Sequence, residues 1–133
     1  MSNLLGLVTL PNIIYISSVL SVFNSVQCMI QPLGLTRRLY SRRSHEVTPL
    51  SSHTFAAWTV LSAILRYKCS MDLSNPVLYD ITISSYAIAA CHFLSEIFIF
   101  KTAKFFSPVL STLITAATCI TWMLIERSFH ISG

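Results

Sequence analysis

Apolar and polar positions alternate in long blocks along this chain, and the blocks are of membrane length. Met1 to Thr36 carries no charged residue, and further uncharged runs cover Val47–Leu65, Ile81–Ser95 and Phe105–Ile125. A helix crossing a bilayer needs about 20 mostly apolar residues. The pattern therefore predicts four membrane helices, Pro11–Gln31, Pro49–Tyr67, Pro76–Phe100 and Pro108–Ile125. Proline suits the first turn of a helix, where its missing N–H would be unpaired in any case. Pro11, Pro49, Pro76 and Pro108 each stand near the start of a run, and Pro32 follows the end of the first. Thr48, Asn75 and Ser107 precede three of these prolines as N-cap candidates. Leu4–Leu10 either extends the first helix, leaving Pro11 as a kink, or lies along the interface.

Composition agrees with that pattern. Of 133 residues, 53% are hydrophobic and 11% charged, whereas a soluble domain keeps about a quarter of its residues charged. Such a chain cannot coat a globule with polar surface. The expected fold is all-α: a polytopic membrane protein, four transmembrane helices in a small bundle, with residues 1–133 forming one four-span domain. The first ten residues carry no Lys or Arg and no A-x-A-like site follows, so an uncleaved anchor is expected rather than a signal peptide. The four cysteines are scattered and show neither metal-ligand spacing nor a disulfide framework.

The net charge of +4 does not indicate nucleic acid, because the cations follow the loops. Arg37, Arg38, Arg42 and Arg43 fall in loop one and Lys101 and Lys104 in loop three, against Arg66, Lys68 and Arg127 on the opposite side. The positive-inside rule then makes loops one and three cytosolic and both termini lumenal. The arginine quartet, which flanks Leu39 and Tyr40, serves either as a topology signal or as a contact for anionic headgroups.

Candidate chemistry concentrates in the third span. On a helical wheel started at Asp80, the residues Cys91, Ser84, Ser95, His92, Ser85 and Glu96 follow within about 160° at 100° per residue. The other half holds Ala87, Ala89, Ala90, Ile83, Phe93, Leu94 and Ile97, with Thr82 and Tyr86. Polar groups are costly in lipid, so the stripe is expected to face protein or a cavity and the apolar half to face lipid. Ser17, Ser21, Asn24 and Cys28 form a weaker stripe on the first span, and Ser111, Thr115 and Thr118 one on the last. Trp58 and Phe55 are either interfacial anchors or partner contacts. Arg66 either pairs with Asp80 on the same side of the membrane or snorkels to headgroups, and Glu96 lies within reach of Lys101, Lys104 or His53. The residues expected to serve helix packing or partner binding are therefore Asp80, Ser84, His92, Ser95, Glu96, Trp58 and Arg66. A di-iron hydroxylase needs many histidines and this chain has four; no nucleophile–base–acid set, cofactor loop or metal set is legible, so no enzyme, cofactor or metal is expected.

The segment His53-Thr54-Phe55-Ala56-Ala57-Trp58-Thr59 and the segment His92-Phe93-Leu94-Ser95-Glu96, in this order and spacing, resemble the ergosterol biosynthetic protein 28 family. Asp72, Leu78-Tyr79, Ile81-Thr82 and Thr102 also fit that pattern, as do Asn24 and Leu39-Tyr40 upstream. The resemblance implies a non-catalytic scaffold of the endoplasmic-reticulum membrane. Its implied partners are the sterol C-4 methyl oxidase, the decarboxylating 3β-hydroxysteroid 4-carboxylate dehydrogenase and the 3-keto sterol reductase, with membrane lipid around them. The alternative is a small sterol or lipid carrier or transporter in the same membrane, its cavity lined by the third-span stripe. The chain ends at Ile131-Ser132-Gly133 and lacks the lysine-rich end of some family members, which puts retention by a basic tail in doubt; residence could still follow from partner binding.

Overall fold

A computed structural model describes residues 9–105 and 109–131. The described residues form α1 (Leu10–Ile30), α2 (Pro32–Leu39), a 3₁₀ turn (Ser41–Glu46), α3 (Pro49–Met71), α4 (Pro76–Phe98) and α5 (Val109–His130), with no strand among them. The expected starts hold wherever they can be seen. Pro11 lies in the first turn of α1 behind Thr9 and does not kink the helix. Thr48 caps α3 in a reciprocal pair with Ser51, and Asn75 accepts from the Leu78 N–H to cap α4. Of the stretch Leu4–Leu10, residues 4–8 lie outside the described residues, as do Ser107 and Pro108.

Three departures bear on function. Loop one is structured: α2 begins at Pro32, and the Thr36 and Ser52 hydroxyls, 2.5 Å apart, tie it to α3. The helices α3 and α5 run on past Tyr67 and Ile125, while α4 stops short of Phe100. Finally, among the described residues three helices, α1, α4 and α5, are long and apolar enough to cross a membrane, where four were expected. The exception is α3. It is as long as α4, but it carries Ser52, Thr59, Ser62 and Arg66 on its buried face and His53, Thr54 and Lys68 on its exposed one, and together these lower its mean apolarity.

Packing explains that composition. The most extensive contact in the bundle is between α1 and α3. The buried Ser17, Ser18, Ser21 and Ser25 of α1 are matched by Ser52, Ala56, Ser62 and Ala63 of α3; small side chains let helix backbones approach closely. Two apolar clusters result. One gathers Cys28, Leu39, Phe55, Phe93, Ile97 and Ala103 near loops one and three. The other gathers Leu10, Ile14, Cys69, Tyr79, Tyr86 and Met123 near the opposite end. Between them, along α1 and α3, lies a layer of hydroxyls with Arg66. Loops one and three meet at one end, where the Arg42 N–H donates to the Thr102 carbonyl at 3.0 Å, so the basic loops share a side of the bundle as the charge pattern required.

Candidate functional site

The α4 helix is rotated relative to the expectation drawn from its polar stripe. Its buried residues are Tyr79, Thr82, Ser85, Tyr86, Ala89, Phe93 and Ile97. On the same wheel these centre on about 200°, roughly 120° away from the centre of the polar stripe. Asp80, Ser84 and Cys91 are exposed, while His92, Ser95 and Glu96 are half-buried along the border. The half assigned to lipid is thus the inner face. Two causes are visible. The inner face carries bulky rings whose hydroxyls find partners inside: Tyr79 donates to the Met123 carbonyl at 2.5 Å, and Tyr86 meets Ser17. The outer serines are satisfied without a neighbouring helix. Ser84 donates to the Asp80 carbonyl at 3.0 Å and Ser95 to the His92 carbonyl at 2.7 Å, bonds that remove most of their polarity from the surface.

Arg66 and Asp80 do not pair, and Arg66 does not snorkel. Asp80 forms a bidentate pair with Arg127 of α5, both contacts at 2.9 Å. Arg66, in contrast, is buried. Its Nε donates to the Ser85 hydroxyl at 3.3 Å and Nη1 to the Ser21 hydroxyl at 3.0 Å. Its guanidinium carbon lies 4.1 Å from the centre of the Tyr86 ring, a favourable cation–π arrangement. The expected stripe on α1 does face inward, with Ser17, Ser21 and Cys28 buried and Asn24 half-buried. On α5, Thr118 and Ser111 are exposed and Thr115 half-buried; the buried face there is Val109, Ala116, Cys119 and Met123.

At the end of the bundle beneath loops one and three, side chains from loop one and α3 converge on His92 of α4. Its Nε2 lies 2.7 Å from the Tyr40 hydroxyl. The rings of Tyr40 and Trp58 each stand edge-on to it at 5.9 Å, and Phe93 lies at 4.9 Å. Phe55 closes the cluster, 5.1 Å from Trp58 and 6.5 Å from Phe93. Phe55 is therefore a buried packing residue and not an interfacial anchor, and Trp58 is half-buried against His92. One turn further along α4, Glu96 accepts from the Thr102 hydroxyl, and its own carbonyl accepts from the Thr102 and Ala103 N–H groups at 2.8 and 3.2 Å. Lys101 makes this possible: at φ 56° it takes the left-handed conformation that ends many helices, turning Thr102 back over Glu96. No salt bridge joins Glu96 to Lys101, Lys104 or His53, and His53 is exposed.

Burial, followed by the nearby Glu96 carboxylate, raises the Tyr40 phenol above its ordinary range, so Tyr40 stays a neutral hydrogen-bond partner for His92. A cavity of about 560 Å³ adjoins the cluster, lined by Tyr40, Trp58, His92, Glu96 and Thr102 among others. By sequence Tyr40 stands among the arginines of loop one, singled out only as part of the Leu39-Tyr40 pair of the family pattern. Its register next to the buried Leu39, just beyond the uncharged run, is the available sign of an inward ring.

Among the described residues, a small all-helical bundle with three helices of membrane-crossing length and apolarity, and with polar side chains bonded between its helices, defines the class of protein. The family follows from comparison. Residues 10–121 match the family model described as Erg28 like protein. Ergosterol biosynthetic protein 28 of Saccharomyces cerevisiae is 36% identical over 91% of this chain and 82% of its own length, and that of Candida albicans 37% over 92% and 88%. The human ergosterol biosynthetic protein 28 homolog is 35% identical over 81% of this chain and 77% of its own. The chain belongs to the Erg28 family. No solved structure matches it.

Proposed function

We propose that this chain is a non-catalytic scaffold of the endoplasmic-reticulum membrane, holding together the sterol C-4 methyl oxidase, the decarboxylating 3β-hydroxysteroid 4-carboxylate dehydrogenase and the 3-keto sterol reductase. Membership of a family named for ergosterol biosynthesis supports the pathway. The observation that carries the scaffold reading is how the pattern residues are used. Tyr40, Trp58, His92, Glu96 and Thr102 fasten loops one and three to the helices, and this presents Arg37, Arg38, Arg42, Arg43, Lys101 and Lys104 on one exposed end. Large apolar side chains such as Ile30, Ile88, Ile125 and Phe129 cover the flanks, as lipid or partner helices require. In this reading α3 is the fourth crossing, shielded from lipid on its polar side by α1, and the basic end is cytosolic.

Proximity alone accounts for the benefit, because enzymes that pass on water-insoluble intermediates gain effective concentration when tethered. Cells lacking the chain should accumulate sterols with C-4 methyl or carboxyl groups while the three enzymes persist, and fusing the enzymes should partly restore flux. A stoichiometric requirement for this chain in the chemical step, with purified enzymes and ample substrate, would refute the non-catalytic reading. A second reading, a small sterol or lipid carrier, is favoured by one observation, a second cavity within the bundle, lined by Phe55, Trp58, Arg66 and Phe93 among others.

A further inference from the structure

Arg66 lies with 7% of its surface exposed, yet among the described residues it makes no salt bridge. A guanidinium has five N–H donors, and the Ser85 and Ser21 hydroxyls take one each. Both serines give their own protons to helix carbonyls, Ser85 to Thr82 and Ser21 to Ser17, so neither supplies negative charge. Arg66 also lines a cavity of about 240 Å³. A second side chain of that wall points to the same conclusion. Thr59 is 7% exposed, and its hydroxyl is the one buried side-chain polar atom without a hydrogen-bond partner among the described residues.

The cavity is polarised along its length. Phe55, Trp58, Thr59, Ser62 and Arg66 recur at helical spacing on one face of α3. From Phe55 to Arg66 is ~16 Å at 1.5 Å per residue. The Arg66 cation stands toward one end and the rings of Phe55, Trp58 and Phe93 toward the other, with hydroxyls such as Thr59, Ser111 and Thr112 along the wall. A halide or a water would use a small part of that length. A phosphate monoester would bring nearly two charges against a single cation, and an uncompensated charge in an apolar interior is expensive. A carboxylate brings one, and it matches the planar fork of the guanidinium.

We propose that this cavity binds the head of a monocarboxylate amphiphile, its carboxylate on Arg66 and the adjoining part of its apolar body along Phe55, Trp58 and Phe93, the remainder lying outside among lipid tails. The site stands apart from the tethering of enzymes, and each can fail without the other. Two sources share this chemistry, a fatty acid and a sterol carrying a ring carboxylate. The full chain in lipid nanodiscs is titrated with radiolabelled oleate, with a radiolabelled sterol 4-carboxylate, and with the methyl ester of each. At least one acid should bind saturably and about tenfold or more tightly than its ester, and which acid does so identifies the source. Arg66→Gln should abolish the preference for acid over ester. Should that variant fold poorly, Ala89→Phe and Thr59→Val decide. Ala89 forms part of the wall, so Ala89→Phe should weaken binding of the acid at least tenfold. Thr59→Val, which removes a hydroxyl without a partner, should fold as well as the parent and weaken the acid about threefold. Equal binding of acid and ester, no saturable binding of either acid, or indifference to both cavity variants would overturn the proposal.

Discussion

Replacing Phe93 by alanine tests the rotation of α4 directly, because the polar stripe and the packing predict opposite results. Phe93 is 1% exposed, whereas its neighbour Leu94 is 41% exposed. The Phe93 ring meets His92 at 4.9 Å, Tyr40 at 6.2 Å and Phe55 at 6.5 Å. In a soluble core Phe→Ala costs about 3–5 kcal/mol, part of it transfer from water. Lipid tails are as apolar as leucine, so in a membrane that part falls away and the lost packing and ring contacts remain. Aromatic pairs contribute ~0.5–1.5 kcal/mol each beyond their area, which leaves about 2–3 kcal/mol for Phe93→Ala. At 1.4 kcal/mol per decade this is roughly a 30- to 140-fold shift in the folding equilibrium. Leu94→Ala, on the outer face, should stay within about 0.5 kcal/mol of the parent. Far-ultraviolet circular dichroism during denaturation in mixed micelles, with increasing ionic detergent, measures both. Equal costs at the two positions, or a greater cost at Leu94, would show that the inner face has been misassigned.

Two further outcomes follow from the same geometry. Tyr40→Phe and His92→Leu should each weaken the bundle, and their double-mutant cycle should be non-additive by ~0.6–2 kcal/mol, the range for one hydrogen bond within a membrane bundle; strict additivity in the same micelle assay would dissolve the pair. Single cysteines at Ser41 and Ser74, both exposed, in a background with the exposed Cys91 replaced by serine, should react with an impermeant maleimide from opposite sides of sealed microsomes. Reaction of both from one side would remove α3 as a crossing, and an exchange of sides would reverse only the orientation.

The helices themselves were largely legible, since their punctuation is local. Pro11, Pro49 and Pro76 sit in first turns, and Thr48 and Asn75 cap as their side chains allow. These signals depend on a few neighbouring residues and need no knowledge of the partner helix. Loop one was not legible in the same way. Residues Pro32–Leu39 form little more than two turns of helix, too short to be stable alone, and the segment is held by contacts distant in sequence, Thr36 with Ser52 and Tyr40 with His92. The pairing of Asp80 is a similar case. Arg66 and Arg127 both belong to Asp80's end of the bundle, and only the way α5 packs on α4 decides that Arg127 is the partner.

The rotation of α4 shows why polarity alone is a poor guide to the inner face of a helix in apolar surroundings. In water, burying apolar area sets the inner face. Against lipid that drive is absent, and packing and hydrogen bonds between helices decide. Serine and threonine hydroxyls take little part in that decision, because they can bond their own helix, as Ser84 and Thr115 do on exposed or half-exposed faces. Larger groups cannot. Tyr79, Tyr86 and Arg66 reach too far to be satisfied by the turn beneath them, and each is bonded to another helix. The heptad spacing of Tyr79, Tyr86 and Phe93 is therefore the stronger sign of the inner face. It places the inner face of α4 where it meets Ser17, Arg66 and Phe55, the side chains that build both the aromatic cluster and the cationic cavity.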